Sequence, residues 1–380
     1  MRYKELFEHR LTSSPESHIL LLDRFFDENP GNTFVFNQAR REIKRSISQN
    51  MRDVVIPDEV TRKYGIKKTK KAQRMTRLAF IDHSFHCKTA SSMFFVSILE
   101  EKYDVDVFWS SCWKGVPNSY LKKLKDIYDI AIYWQVFPST NFFQPRNTII
   151  VPMWDAVFNE GDDFFKKYIQ YPFISFSKAL HVKCRSCGLF SKYIKYQPRV
   201  KRLNNNDIWK KEKPVLYFWQ RNYDITWPML RGAISQHEVD SIYICPETDP
   251  GYTFLPPSED DIKAYNIIFV DWIPSKTAFE ESLMDIDIYI APRKTEGIGL
   301  SFLDAMASGC TIICNNQSTM NEYIDNETGY LVDYDNLPKI DLSDWKTKTK
   351  NLMNAYKKQS CKERSFSEDF LNCIMEMTNA

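Results

Sequence analysis

A recurring beat of short apolar runs constrains this chain more than any other feature. LAFID (78–82), VDVFW (105–109), IAIYW (130–134), TIIV (148–151), FISF (173–176) and YIKY (193–196) are separated by segments long enough for helices. Most of these runs are near-continuously apolar rather than alternating apolar with polar, so they read as strands buried on both faces. Alternated with helical stretches such as SSMFFVSILEEKY, they build βαβ units and a parallel sheet. A polar break, RLNNNDIWKKEKP (202–214), interrupts the beat. It then restarts with VLYFW (215–219), SIYIC (241–245), IIFV (267–270), DIYIA (287–291), TIIC (311–314) and GYLV (329–332). Two such units in 380 residues predict an α/β protein with two doubly wound, Rossmann-like domains facing a cleft. The expected divisions are a helical, basic extension over 1–77, a first domain over 78–205, a second over 206–345 and closing helices over 346–380.

Charge and cysteine content narrow the function classes. With 51 Lys plus Arg against 49 Asp plus Glu, the net charge is +2. That balance gives no general argument for nucleic acid as a partner, so any anion site must be local. No apolar run approaches a membrane span, and MRYKELFEHR does not read as a signal peptide. Nine scattered cysteines form no disulfide framework, which suggests reduced thiols and a cytoplasmic setting. Cys184 and Cys187 make a lone CxxC, read as packing. No His/Cys/Asp cluster has metal spacing, so no metal site is expected. Eight basic residues between Arg62 and Arg77 read either as a solvated linker or as a contact with an anionic membrane at its inner face.

The segment RKTEGIGLSFLDAMASG (293–309) carries the chemistry. DIYIA is a buried strand ended by Pro292, and LSFLDAMAS has the apolar spacing of a helix, with Gly309 a C-cap. Glu296 therefore falls in a strand-to-helix turn, at the sheet edge where ligands bind. Gly297 and Gly299 let the backbone approach a ligand, and a helix N-terminus suits a phosphate. A carboxylate beside a phosphate site makes sense as an acceptor for sugar hydroxyls, and Asp304 in the helix is placed for a ribose. Together these describe a sugar-nucleotide site; the plainer reading is a glycine turn flanked by two surface acids.

The wider stretch from Ile267 to Val332 resembles the donor-binding half of GT-B glycosyltransferases, in particular the large retaining family 4. The resemblance rests on AP at 291–292, EGIGLSFLDAMASG at 296–309 against the family's EGFGLPxLEAMAxG, then TIIC, Glu322 and GYLV. It implies that Glu296 contacts the donor sugar, that the amides of Gly297, Ile298, Gly299 and Leu300 face the sugar and diphosphate, and that Asp304 binds the ribose. Asp304 stands where the family has Glu, one methylene longer. The family's Gly-Arg and following Lys, which bind the diphosphate, correspond here to Gln220-Arg221 and Thr226, so the Lys is absent. Arg293 or Lys294 is the candidate substitute, and Arg221 has the alternative of an ordinary surface Arg. The base is expected near Trp272 and Ile273. The resemblance further implies a metal-independent reaction with retention, no cofactor beyond a UDP- or GDP-linked sugar, and final helices that cross back to the first domain.

The first domain departs from that family. Where the family has His-Asp after an inner strand, this chain has Trp154-Asp155; Trp154 either stacks on a sugar or sits in the core. The first loop is HSFHCKTASS, in which His83, His86 and Lys88 are candidates to hold an acceptor hydroxyl or move a proton, or are ordinary polar loop residues. The expected activity is a hexosyltransferase acting on a glycan or lipid-linked saccharide acceptor in bacterial surface-polysaccharide synthesis. The alternatives are a sugar-nucleotide epimerase and a non-catalytic GT-B-like module that binds a glycan or stabilises a partner.

Overall fold

A computed structural model describes residues 14–48, 56–66, 76–116, 127–139, 147–198, 210–273, 276–360 and 365–379. Most of the basic stretch, 67–75, and most of the polar break, 201–209, lie outside the described residues. The apolar beat becomes two sheets of six parallel strands. The first holds β1 (Arg77–His83), β2 (Asp104–Ser110), β3 (Ile130–Trp134), β4 (Thr148–Val151), β5 (Phe173–Ser175) and β6 (Ser191–Tyr193), in the order β2-β1-β3-β4-β5-β6. The second holds β7 (Val215–Trp219), β8 (Ser241–Cys245), β9 (Ile267–Phe269), β10 (Ile288–Ile290), β11 (Thr311–Asn315) and β12 (Gly329–Val332), in the order β12-β11-β10-β7-β8-β9. Inner strands β3, β4 and β11 are buried at every position, which is why their sequences are unbroken apolar runs. One run is displaced: β6 occupies 191–193 rather than 193–196, because its partner β5 is only three residues long and pairs Phe173 with Ser191 and Ser175 with Tyr193.

In both sheets the strand order reverses beside the first strand. The reversal lies between β1 and β3 in the first domain and between β7 and β10 in the second. Loops leaving those strand ends diverge, and the divergence opens a crevice.

The N-terminal helices close an edge. The helix Thr33–Ser48 lies along β2, the outer strand of the first sheet. Asn37 Nδ2 donates to the Val107 carbonyl at 2.7 Å while its Oδ1 accepts from Val107 N at 2.9 Å. Thr33 Oγ1 accepts from Trp109 N at 3.0 Å, and the buried Arg40 donates to Val105 O at 3.1 Å as well as to Tyr64 O and Glu100. Side chains from one helix thus take the place of a neighbouring strand and satisfy backbone groups that would otherwise invite another chain. Lys63 is paired with Asp23 at 2.7 Å and with Asp27, so this part of the basic stretch is bound internally.

The tail forms two helices, Trp345–Ser360 and Phe366–Asn379. The first is bonded to the second sheet through Thr349, whose hydroxyl meets that of Thr311 at 2.7 Å. The second lies on the first domain: Phe370 packs against Phe95 and Trp134 at 5.6 and 6.4 Å between ring centroids. Among the described residues, no helix is long and apolar enough to cross a membrane.

Candidate active site

The two reversal points face each other across a cavity of about 1300 Å³. The second domain contributes Arg221 from the loop after β7 and Glu296 to Ser301 from the turn after β10. The first contributes His86, Trp113, Gln135 and Asp155 from the loops after β1, β2, β3 and β4.

Local bonds hold the turn after β10 from three sides. Thr319 Oγ1 donates to the carbonyl of Glu296 at 2.7 Å. Asn315 Nδ2 donates to Lys294 O at 3.0 Å, and Asp224 accepts from Lys294 N at 2.9 Å. Gly299 has φ +80° and is the N-cap of the helix Leu300–Ala307, a left-handed conformation that disfavours any side chain. Gly297 is needed for a different reason from the one its sequence suggests. A Cβ there would come within 2.7 Å of Met153 Cβ and 2.9 Å of Asp155 Oδ1, both in the first domain. The absent side chain lets the two domains meet.

Glu296 is 6% exposed, and its Oε1 has no hydrogen-bond partner. Burial pushes its carboxyl up to about 7; Arg293 and Arg221 pull it down, and Asp155 and Asp249 push it further up. It stands in a charged cluster that spans the cleft. Asp249 accepts from Arg221 Nε and Nη2 at 3.1 and 2.9 Å and from Arg293 Nη2 at 2.7 Å. Arg293 Nη1 reaches across to Asp155 at 3.0 Å. Burial raises Asp155 above its ordinary range, against the pull of Arg293 and Arg221. Burial works against the charge on Arg293, but Glu296 and Asp155 outweigh it and the guanidinium is held protonated. A phosphate entering here would compete with Asp155 and Asp249 for two arginines.

Asp304 is buried and lines the cavity one helical turn beyond Gly299. Tyr196 and Tyr356 lie within its electrostatic reach; both hydroxyls are raised by burial first and by that carboxylate second. Trp272 and Ile273 also line the cavity; Trp272 packs on Trp219 at 5.0 Å, and Arg221 lies 4.8 Å over the Trp219 ring. A second bond between domains lies behind the turn. Glu322 accepts from Ser177 Oγ at 2.9 Å and from Lys178 N at 2.6 Å, at the N-terminus of the helix Lys178–Ser186. A carboxylate at a helix N-terminus is favourable, so this contact ties the two sheets together.

The structure separates several sequence candidates from the cavity. Lys294 turns its ammonium to Asp335 and does not line the cavity; of the two candidate replacements for the absent Lys, Arg293 is the one inside. Thr226 instead precedes the helix Trp227–Ala233 as its N-cap. Trp154 packs on the first-domain core beside Phe158, because it opens the short helix Trp154–Val157 on the side away from the cleft, whereas its neighbour Asp155 faces Arg293. His83 lies outside the cavity lining: its ring stacks on Trp113 at 3.8 Å and 4°, and its Nδ1 accepts from Phe85 N. His86 does line the cavity, with Nδ1 2.7 Å from the fully buried Asp82. The Lys88 side chain lies outside the described residues. Cys184 is buried on the first-domain core. Three residues had no motif to announce them: Trp113, Gln135 and Asp249. The only available signal was position, each following a strand near the reversal of its sheet.

Two doubly wound domains facing a cleft, each with six parallel strands, constitute the GT-B fold. Residues 253–343 match the family described as glycosyl transferases group 1. The chain is similar in fold to sucrose-phosphate synthase from Thermosynechococcus elongatus, at 15% identity and a TM-score of 0.53 over 80% of this chain and 99% of that one. It is similar as well to a glycosyltransferase from Rickettsia africae, at 12% identity and a TM-score of 0.51 over 80% and 99%. A curated relative is an uncharacterized 41.2 kDa protein in the cps region of Klebsiella pneumoniae, 25% identical over 172 residues. That match spans 43% of this chain and 44% of the relative, less than half of either. The family-matched segment, residues 253–343, lies within the second domain of that fold.

Proposed function

We propose that this protein is a retaining glycosyltransferase that moves a hexosyl group from a UDP- or GDP-linked donor to a glycan or lipid-linked saccharide in surface-polysaccharide synthesis. One observation carries the reading. A buried acid, Glu296, lines the cavity with one buried carboxylate oxygen lacking a hydrogen-bond partner, immediately before a turn whose backbone leads into a helix N-terminus. A hydroxyl-rich sugar satisfies that oxygen, and the diphosphate attached to it meets the helix N-terminus and Arg221.

The chemistry follows from that placement. The bond between the anomeric carbon and the diphosphate oxygen breaks, and an acceptor oxygen bonds the same carbon. The acceptor hydroxyl's proton passes to the leaving diphosphate. Arg221, Arg293 and the helix N-terminus take up the negative charge that develops on the leaving group. Retention is carried over from the family that the motif resembles, as is independence of a metal. The basic region 62–77, apart from the internally paired Lys63, would keep the protein near an anionic inner leaflet.

A second reading has a specific observation behind it. Both arginines are already engaged by Asp249, and the family's Lys is missing, as in a module that binds sugar without turnover. Incubation with a panel of UDP- and GDP-sugars and saccharide acceptors separates these. Transfer product supports the proposal; interconversion of the donor sugar means an epimerase; donor binding without product means a silent module and ends the proposal.

A further inference from the structure

We infer that the carboxyl ends of β1, β2 and β3 form a saccharide subsite in which a neutral pyranose ring lies on the indole of Trp113, its hydroxyls held by Gln135 and His86. The inference rests on the glycosyltransferase reading and names the acceptor's chemistry.

Trp113 is a large apolar side chain left 40% exposed on the wall of a cavity. It is not loose. One face is covered by the parallel ring of His83, and His86 meets it edge-on at 5.5 Å. Its backbone is tied to the next loop: Phe137 N donates to Trp113 O at 3.0 Å, and Val116 N donates to Phe137 O at 2.8 Å. An indole fixed on one face and open on the other is a platform for the C–H face of a sugar ring.

Polar groups stand around that platform. Gln135 is the first residue after β3 and has φ +60°, a left-handed conformation that a non-glycine residue adopts at some cost. Its N–H still donates to Val151 O at 2.8 Å, continuing the ladder, and the residue lines the cavity. Strain of this kind persists where surrounding structure requires a side chain to point one way. His86 completes the set. Asp82 takes its Nδ1, and also accepts from Ser92 Oγ at 2.5 Å, so the imidazole is oriented and Nε2 remains to meet a hydroxyl.

Among the described side chains of these three loops none carries an unpaired charge, which favours a neutral sugar. Asp82 is spent on His86 and Ser92, and Lys114 beside the platform is paired with Glu160. Burial holds His83 below its ordinary value, so the ring beneath the indole is uncharged at neutral pH. The three elements come from three loops and converge only because the order β2-β1-β3 places those strand ends side by side.

Saturation-transfer NMR with the methyl α- and β-pyranosides of glucose, galactose, mannose and N-acetylglucosamine tests the subsite on the full chain. The expected result is binding of at least one glycoside, with saturation strongest on one ring face. W113A should weaken that binding about tenfold and W113F less, with Q135A in between. Calorimetric affinity for UDP and GDP should stay unchanged in all three. Equal glycoside affinity in W113A and wild type, or no binding of any panel member at millimolar concentration, overturns the inference. If W113A does not fold, W113F and Q135A carry the same comparison, and unchanged affinity in both overturns it. Trp113-dependent glycoside binding without any transfer would sink the enzyme reading and leave the subsite standing. Transfer whose acceptor KM ignores Trp113 would do the reverse.

Discussion

The two sides of the cleft are each built on a six-stranded parallel sheet with one reversal of strand order, 2-1-3-4-5-6 in the first domain and 3-2-1-4-5-6 in the second, and they present opposite chemistry to it. Around β7 and β10 the second domain offers backbone and charge: a glycine turn, a helix N-terminus, two arginines and a buried acid. Around β1, β2 and β3 the first domain offers rings and neutral polar groups: Trp113 on His83, His86 on Asp82, and Gln135. A charged, flexible diphosphate is best met by oriented amides and guanidinium groups. An uncharged sugar is best met by an aromatic face and a few hydrogen bonds. The comparison teaches that two parallel sheets can present different chemistry to one cleft by what is placed on the loops after their strands.

The largest break in that contrast is Glu296→Ala. Removing the unpaired acid from the charged side should reduce transfer by about 10³-fold with the fold intact; near-normal turnover, measured against any productive donor, would end the assignment. Glu296→Gln probes the same residue through stability. The folded carboxyl titrates at about 7 and the unfolded one at 4.5, so between those values the native state binds more protons. Stability contributed by this group is therefore present at low pH and is lost as pH rises through 4.5 to 7. The Gln variant should be the more stable protein at pH 8, by on the order of 3 kcal/mol, and should match wild type near pH 4. Parallel curves of Tm against pH for the two proteins would refute the buried-acid description.

A smaller effect is expected for Arg221→Ala. Loss of one charge-assisted contact should weaken binding of UDP or GDP by roughly 10- to 100-fold in calorimetry. Equal affinity would move the diphosphate away from β7. The smallest effect sharpens the contrast by its absence. Lys294→Ala should change diphosphate affinity by less than about twofold, because an exposed pair such as that with Asp335 contributes little. A large loss there would restore Lys294 as a ligand and displace Arg293.

Legibility followed the same division. The strands were readable because a parallel sheet covered by helices on both faces demands unbroken apolar runs, and only β6 slipped, by two residues. Glu296, the turn after it and Asp304 were readable because tight turns and helix entries fix which residues can stand at which spacing. The first-domain site was readable only in part: His86 and Asp155 were candidates and line the cavity, whereas Trp113 and Gln135 were not named. Its side chains come from loops separated by dozens of residues, and nothing local distinguishes Trp113, which reaches the cavity, from Trp154, which packs on the core. Asp249 was hidden for the same reason: its role exists only against Arg221 and Arg293.

By itself the sequence determined two parallel sheets and the position of the glycine turn after β10, since local periodicity and backbone conformation are written in contiguous residues. Tertiary structure alone decided which cations enter the cleft, that Gly297 serves the approach of the two domains, and which aromatic ring faces the cavity. Those outcomes depend on distances between segments far apart in the chain, and strand order, which no single stretch encodes, sets those distances.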